Sequence, residues 1–196
     1  MIDDLFQGKL VRLRAEEPEI LGAALSRWAR DSEYFRLLDS DPAFLWSEKW
    51  VKGWLEKEQE KEPPEDIFFS IRTLEGDCLI GFISLGGFQW SHGEAWVGIA
   101  LGERSYWGKG YGTDAMCVIL RYAFMELNLY RVSLDTFEYN PRAIRSYEKA
   151  GFTFEGRLRS YLNREGRRWD VLIMGILRDE WEKSISPVAY HAMSEE

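Results

Sequence analysis

Between Trp107 and Thr113 the chain reads Trp-Gly-Lys-Gly-Tyr-Gly-Thr, after a strand-like run (Ala95 to Leu101) and directly before an amphipathic helix. Glycines let the backbone approach a ligand closely, and a helix start offers unpaired N–H groups at the positive end of its dipole. Such a segment suits a phosphate or pyrophosphate. A Walker loop would need Ser or Thr after its lysine, whereas Lys109 is followed by Gly110. A dinucleotide fingerprint needs Gly-x-Gly-x-x-Gly with an acid ~20 residues further on. Asp135 is a tempting acid, but the spacing here is Gly108-x-Gly110-x-Gly112 and the strands upstream read as antiparallel.

A second constellation follows in Asn140-Pro141-Arg142-Ala143, Tyr147 and Gly151-Phe152. Asn140, Ala143 and Tyr147 stand at i, i+3 and i+7, hence on one face of a short helix. A phenol held on that face can donate a proton or a hydrogen bond to a leaving group. Taken singly, Asn140 reads more simply as a helix cap and Tyr147 as a core aromatic.

Together the two segments resemble the GNAT superfamily of N-acetyltransferases. Tyr106 to Thr113, Arg142-Ala143-Ile144, Tyr147-Glu148-Lys149 and Asp170 to Met174 resemble in particular its RimJ/RimL-like, polyamine-acetylase-like branch. The resemblance implies a GNAT domain over 8–183 and a tail over 184–196. It implies acetyl-CoA as co-substrate, no metal, and a primary amine acceptor that is a small molecule or a peptide. By the same resemblance the cofactor-binding residues are Ile99, Ala100 and Leu101, the segment Trp107, Gly108, Lys109, Gly110, Tyr111, Gly112 and Thr113, and Asn140, Ala143 and Tyr147. Asn140 would contact the pantetheine arm, the Tyr147 hydroxyl the sulfur, and a backbone N–H near Ile99 or Ala100 the oxyanion. Trp107 departs from the family's usual Arg or Gln, which matters little if backbone amides do the binding.

A protonated amine must lose a proton before it attacks, so a general base is expected. The family often carries a Glu at the position where this chain has Trp96. Glu94, two residues earlier, projects from the same face of a regular strand and is the candidate base. An exposed strand-end acid is the plainer reading of Glu94, with His92, Asp135, Glu138 and Glu155 as alternatives. The missing Glu also keeps a non-catalytic acyl-CoA-binding module in view, and the glycine segment a dinucleotide-dependent oxidoreductase.

These residues must be positioned by an α/β fold: a mixed, mostly antiparallel sheet of about seven strands with helices on both faces, as the resemblance implies. Lys9 to Ala15 alternates as a half-buried strand, and Glu17 to Arg30 and Ser47 to Lys61 carry helical stripes, the second ending at Pro63-Pro64. Ile67 to Thr73, Leu79 to Phe88 and Ala95 to Leu101 read as an antiparallel series. Thr113 to Asn128 reads as a helix and Arg131 to Phe137 as a strand. Asn140 to Ala150 is a helix with cap, N1 proline and terminal glycine in place. Two further strands flank a turn at Asn163 to Gly166, a short helix covers Asp179 to Lys183, and the tail from Ser186-Pro187 reads as poorly ordered.

The chain has 196 residues and a formal charge of −8, which argues against a nucleic-acid partner. No stretch approaches the ~20 apolar residues of a membrane span, and the N-terminus lacks an export signal, so the expected location is cytoplasmic. Cys78 and Cys117 have no metal spacing and read as small core residues. Monomer and homodimer both stay open.

Overall fold

The computed structural model describes residues 4–62 and 65–184. In chain order the elements are β1 (Val11–Arg14), α1 (Pro18–Trp28), α2 (Ser32–Leu38), α3 (Glu48–Gln59), β2 (Asp66–Thr73), β3 (Leu79–Gln89) and β4 (Glu94–Leu101). A single 3-10 turn (Arg104–Tyr106) leads to α4 (Tyr111–Met125), β5 (Arg131–Phe137), α5 (Pro141–Lys149), β6 (Thr153–Arg164), β7 (Arg167–Leu177) and α6 (Arg178–Ser184). The strands form one seven-stranded sheet in the order β1-β2-β3-β4-β5-β7-β6. Every neighbouring pair is antiparallel except β4 and β5. Those two run parallel because the chain crosses from one to the other through α4, which a tight hairpin could not do.

That parallel ladder is short. Glu94 pairs with Arg131, Ala95 with Val132 and Trp96 with Ser133, and no further pair follows. Beyond Trp96 the strands part, and a wedge opens in the middle of the sheet.

Side chains alternate across a strand, so the two faces fill differently. Ala95 and Val97 of β4, Val132 and Leu134 of β5, and Met174 and Ile176 of β7 pack against the apolar face of α4. Ala100 turns to the opposite face, where Leu21, Leu25 and Trp28 of α1, Tyr34 of α2, and Val51 and Leu55 of α3 form a second core. Helices therefore cover both faces.

The elements follow the sequence pattern closely, with informative differences. α2 is an addition to the sequence reading: Asp31 caps it by accepting from the Glu33 and Tyr34 amides. α4 begins at Tyr111 rather than Thr113, so the last of the loop glycines lies inside its first turn. β6 runs on to Arg164, which shortens the turn to Glu165-Gly166. Both cysteines are solvent-exposed rather than core residues. Cys78 follows the β2–β3 turn, and Cys117 shares a polar helical stripe with Asp114 and Arg121. Pro63-Pro64 and the tail beyond Ser184 lie outside the described residues.

That stripe holds the N-terminal segment. The Asp114 carboxylate accepts from the amides of Lys9, Leu10 and Val11 at 3.0, 2.7 and 3.0 Å. Two turns on, the Arg121 guanidinium donates to the carbonyls of Leu5 and Gln7, both at 2.7 Å. We expect Asp114→Ala to lower the stability of the ligand-free protein by about 2 kcal/mol, since bonds to a charged acceptor exceed neutral ones and the Val11 amide would lose its partner. Urea unfolding should show a lower midpoint at unchanged slope; an unchanged midpoint would mean that water replaces the carboxylate at no cost.

Candidate functional site

A cavity of about 1160 Å³ runs from the start of α4 to the wedge between β4 and β5. Ile99, Ala100 and Leu101 form one wall, Trp107, Gly108 and Gly110 its rim, and Gly112 and Thr113 the first turn of α4. Asn140, Arg142, Ala143, Ser146 and Tyr147 close it from α5, and Tyr34, Leu37 and Leu38 from α2.

The rim is shaped for an anion. Gly110 is the residue before α4 and has φ of +93°, a left-handed conformation that favours glycine. No side chain caps the helix, and only the Asp114 amide reaches the Gly110 carbonyl. The amides of Tyr111, Gly112 and Thr113 are thus left without an acceptor among the described residues, at the positive end of a fifteen-residue helix. Lys9, Arg121, Arg142, Arg145 and Lys149 line the same cavity, with Asp114 as its single acid among the described residues. On a chain of formal charge −8, such a concentration of cations marks a site for a polyanion.

Trp107 works as a post rather than a hydrogen-bonding substitute for Arg or Gln. Its indole N–H donates to the Leu101 carbonyl at 2.7 Å, which ties the glycine loop to the end of β4. The guanidinium of Arg142 lies 3.9 Å from the centre of its ring and that of Arg104 4.9 Å. Lys109 and Tyr111 are not among the cavity walls. Tyr111 packs edge-on against Tyr106 at 4.9 Å.

At the wedge the cavity offers polar groups without partners. Asn140 caps α5 by accepting from the Ala143 amide at 3.2 Å, which leaves its amide N–H groups as donors on the cavity wall. The Tyr147 hydroxyl has no hydrogen-bond partner among the described residues. Burial, with a contribution from the Asp135 charge, pushes its phenol above the ordinary tyrosine value, so it is protonated at neutral pH and able to donate. The Tyr34 hydroxyl is buried and unpartnered, a costly state unless a ligand satisfies it. Thr113 and Ser146 join α4 to α5 through their hydroxyls at 2.8 Å.

Glu94 is placed differently from the expectation of a free base. It sits where β4 and β5 are still paired, accepts from the Ser133 hydroxyl at 3.0 Å, and lies 3.4 Å from the Arg131 guanidinium. It belongs to a closed cluster at the narrow end of the wedge and is not a cavity wall. The alternation that put it on the face of Trp96 holds; the cross-strand arginine that engages it is a tertiary partner. His92 is exposed in the β3–β4 turn. The carboxylate of Glu138 accepts from the Asp170 amide at 2.9 Å, and Glu155 pairs with Arg131.

Sequence reasoning brought Ile99, Ala100, Leu101, Trp107, Gly108, Gly110, Gly112, Thr113, Asn140, Ala143 and Tyr147 to one cavity, and the structure assembles them there. It missed Arg142 and Arg145. The cations flank Ala143 inside the second constellation and were readable as positive charge at a helix that faces a phosphate site. Tyr34 belongs with Trp28, Phe44, Trp46, Trp50 and Trp54 to an aromatic-rich stretch whose side chains could wall an amine pocket, but its own helix went unread.

Residues 11–153 match the family model described as an acetyltransferase (GNAT) domain. The chain is 30% identical over 175 residues to an uncharacterized N-acetyltransferase, YokL, derived from the SPbeta prophage of Bacillus subtilis, covering 89% of this chain and 94% of that protein. The fold is similar to that of a spermidine N-acetyltransferase from Vibrio cholerae solved with CoA and spermine, with TM-score 0.77 and 24% identity over 87% of this chain and 97% of the other. A GNAT-family acetyltransferase from Bacillus anthracis gives TM-score 0.73 and 21% identity over 89% and 98%.

The loop glycines should separate under mutation. A Cβ on Gly112 would meet only ordinary contacts, Leu101 Cδ1 at 3.6 Å and Ser146 Oγ at 3.7 Å, and would protrude into the cavity. Gly112→Val should therefore fold with near-parent stability but bind acetyl-CoA at least tenfold more weakly by calorimetry. Gly110→Val should lose stability as well, because a β-branched residue is strained at positive φ. Parent-like affinity in a folded Gly112→Val protein would remove the phosphate cradle from this loop.

Proposed function

The chain belongs to the GNAT acetyltransferase family and is an N-acetyltransferase, and from that premise we propose how its own residues carry the reaction. Acetyl-CoA is the donor, with its phosphates on the free amides of Gly112 and Thr113 and its pantetheine arm running along Ile99, Ala100 and Leu101 past Asn140. When bound it supplies an acetyl group activated as a thioester. The supporting observation is one continuous cavity that joins an uncapped helix start among cations to a partnerless phenol at the wedge. The RimJ/RimL-like branch is the subfamily reading, carried by Asn140, Ala143 and Tyr147.

The residues divide the work by position. Amides at the start of α4 and the surrounding cations hold the phosphates and so fix how far the thioester reaches into the wedge. The parted backbone of β4 presents N–H groups near Ile99 and Ala100 where negative charge develops on the carbonyl oxygen. Tyr147 donates its hydroxyl proton to the departing sulfur. The Tyr34 hydroxyl finds in a carbonyl of the bound donor the partner it lacks in the protein.

The acceptor is a primary amine that enters from the face covered by α1, α2 and α3. Phe82 of β3 stacks on Phe68 of β2 at 5.4 Å, and Trp54 meets Phe68 edge-on at 5.8 Å, so this side offers aromatic surface for a cationic group. A small amine or a peptide amine satisfies that surface, and a cytoplasmic working site matches the donor. Acetyl-CoA turnover across a panel of polyamines, aminoglycosides and peptide N-termini tests this reading. Donor binding without transfer to any amine would favour instead the non-catalytic module that Trp96 brings to mind.

Tyr147→Phe removes only the hydroxyl. We expect kcat to fall by roughly 10²-fold, as for acid–base groups generally, with acetyl-CoA affinity changed less than twofold. Equal turnover by the two proteins would leave Tyr147 as a packing residue.

A further inference from the structure

We infer that Asp135 is the general base of this site, the group that takes a proton from the bound ammonium form of the acceptor. The inference rests on the acetyltransferase reading above and names a residue for a step that reading leaves open.

Asp135 follows the last paired residue of the β4–β5 ladder by two positions. Trp96 pairs with Ser133, so continuing the register would set Asp135 against Gly98, but there the strands have already parted. Alternation puts Asp135 on the same face as Ser133, whose hydroxyl meets Glu94, and opposite to Leu134, which packs on the α4 side. That face is the one covered by α1, α2 and α3. Gly98 is solvent-exposed and has no side chain, so nothing on the opposite strand fills the space before the carboxylate. Asp135 lies just beyond the last β4–β5 pair, reachable by solvent yet partly desolvated, and like Glu94 it is not itself a wall of the cavity.

The other carboxylates weighed for this role are engaged: Glu94 with Ser133 and Arg131, Glu155 with Arg131, and Glu138 with the Asp170 amide. Apart from its own backbone N–H, the Asp135 carboxylate has no hydrogen-bond or ion-pair partner among the described residues. Its titratable and charged neighbours are Asp39 after α2, Tyr147 on α5, and the Glu94–Arg131 pair along β4 and β5, while Ile173 adjoins it on β7. Burial pushes its carboxyl above the usual aspartate range and the Asp39 charge adds to this, against an opposing hydrogen bond from its own backbone N–H. A raised carboxyl is a stronger base than an ordinary aspartate. Its charge also reaches Tyr147, the proton donor on the sulfur side.

The proton balance is complete with these two residues. The ammonium gives one proton to Asp135, which returns it to solvent. The freed nitrogen pair forms the C–N bond, the C–S bond breaks with its electron pair going to sulfur, and Tyr147 protonates the sulfur. The second nitrogen proton then restores Tyr147 through solvent.

The test is Asp135→Asn, with the parent and Glu94→Gln alongside, read as kcat/KM against pH with an amine that the parent acetylates. The parent should lose activity only as pH falls through the carboxyl's own range. Asp135→Asn must wait for free amine, so its activity should rise tenfold per pH unit up to the amine's pKa and be about 10³-fold below the parent at pH 7 for a lysine-like amine. Acetyl-CoA affinity should be unchanged, and in the free parent the Asp135 carboxyl carbon should titrate in NMR above the ordinary ~3.9. If the Asn variant does not fold, Asp135→Ser takes its place. A parent-like profile in a folded Asp135 variant, or loss of the acid limb in Glu94→Gln alone, overturns the assignment while leaving the acetyltransferase reading intact. Failure of the parent to acetylate any amine overturns both.

Discussion

The site depends on β4 and β5 parting after three residue pairs. Main-chain donors and acceptors in a sheet interior are ordinarily satisfied by the neighbouring strand, and leaving them free is costly. Here the groups of Val97 to Leu101 and Leu134 to Phe137 that face the wedge lack that neighbour, so a ligand with amide and carbonyl groups can take its place. The split persists because each strand is secured on its outer side: β4 by an antiparallel ladder with β3, and β5 by seven paired residues with β7. Both also rest on α4, which bridges the two halves with Ala115, Met116, Ile119 and Leu120. The open seam is therefore a rigid feature of the fold.

α4 serves this arrangement with three surfaces. Its apolar face is the bridge, its polar stripe of Asp114 and Arg121 binds the N-terminal segment, and its first turn faces the cavity. Asp114 would by its charge oppose an anion bound at the same helix start. Three amide hydrogen bonds engage that charge, and Lys9, which supplies one of them, also lines the cavity. One carboxylate thus fixes the segment that brings Lys9 to the cavity, which couples the N-terminal strand to the site.

What could be read in the sequence was what is locally encoded. Asn140, Pro141 and Gly151 bracket α5 within a few positions, and the helix is capped by that asparagine. The alternation in Glu94 to Leu101 shows which residues share a face. It cannot show that Arg131 lies beside Glu94, because the strand order is set by the crossover and not by any local signal. α2 escaped since seven residues are too short for a clear apolar period, although Asp31-Ser32-Glu33 carries its cap. The cysteines were misplaced because composition alone favours burial of the thiol, whereas Cys117 follows Asp114 by three positions and shares its polar stripe.

The two halves of the wedge are built under different constraints. The donor side is made of backbone: helix amides, strand amides and a left-handed glycine, whose positions tolerate few alternatives. The acceptor side is made of side chains on α2, α3 and the segment joining them. There Phe44, Trp46 and Trp50 pack on one another, with Trp46 and Trp50 stacked at 5.9 Å, while Phe44 and Trp50 remain about half exposed. Side-chain surfaces of this kind can change without disturbing either ladder of the sheet. A fold that fixes its donor by main-chain geometry is free to vary its acceptor by substitution, and the acceptor chemistry we infer rests on Asp135 and the aromatic surface rather than on the motifs that disclose the family.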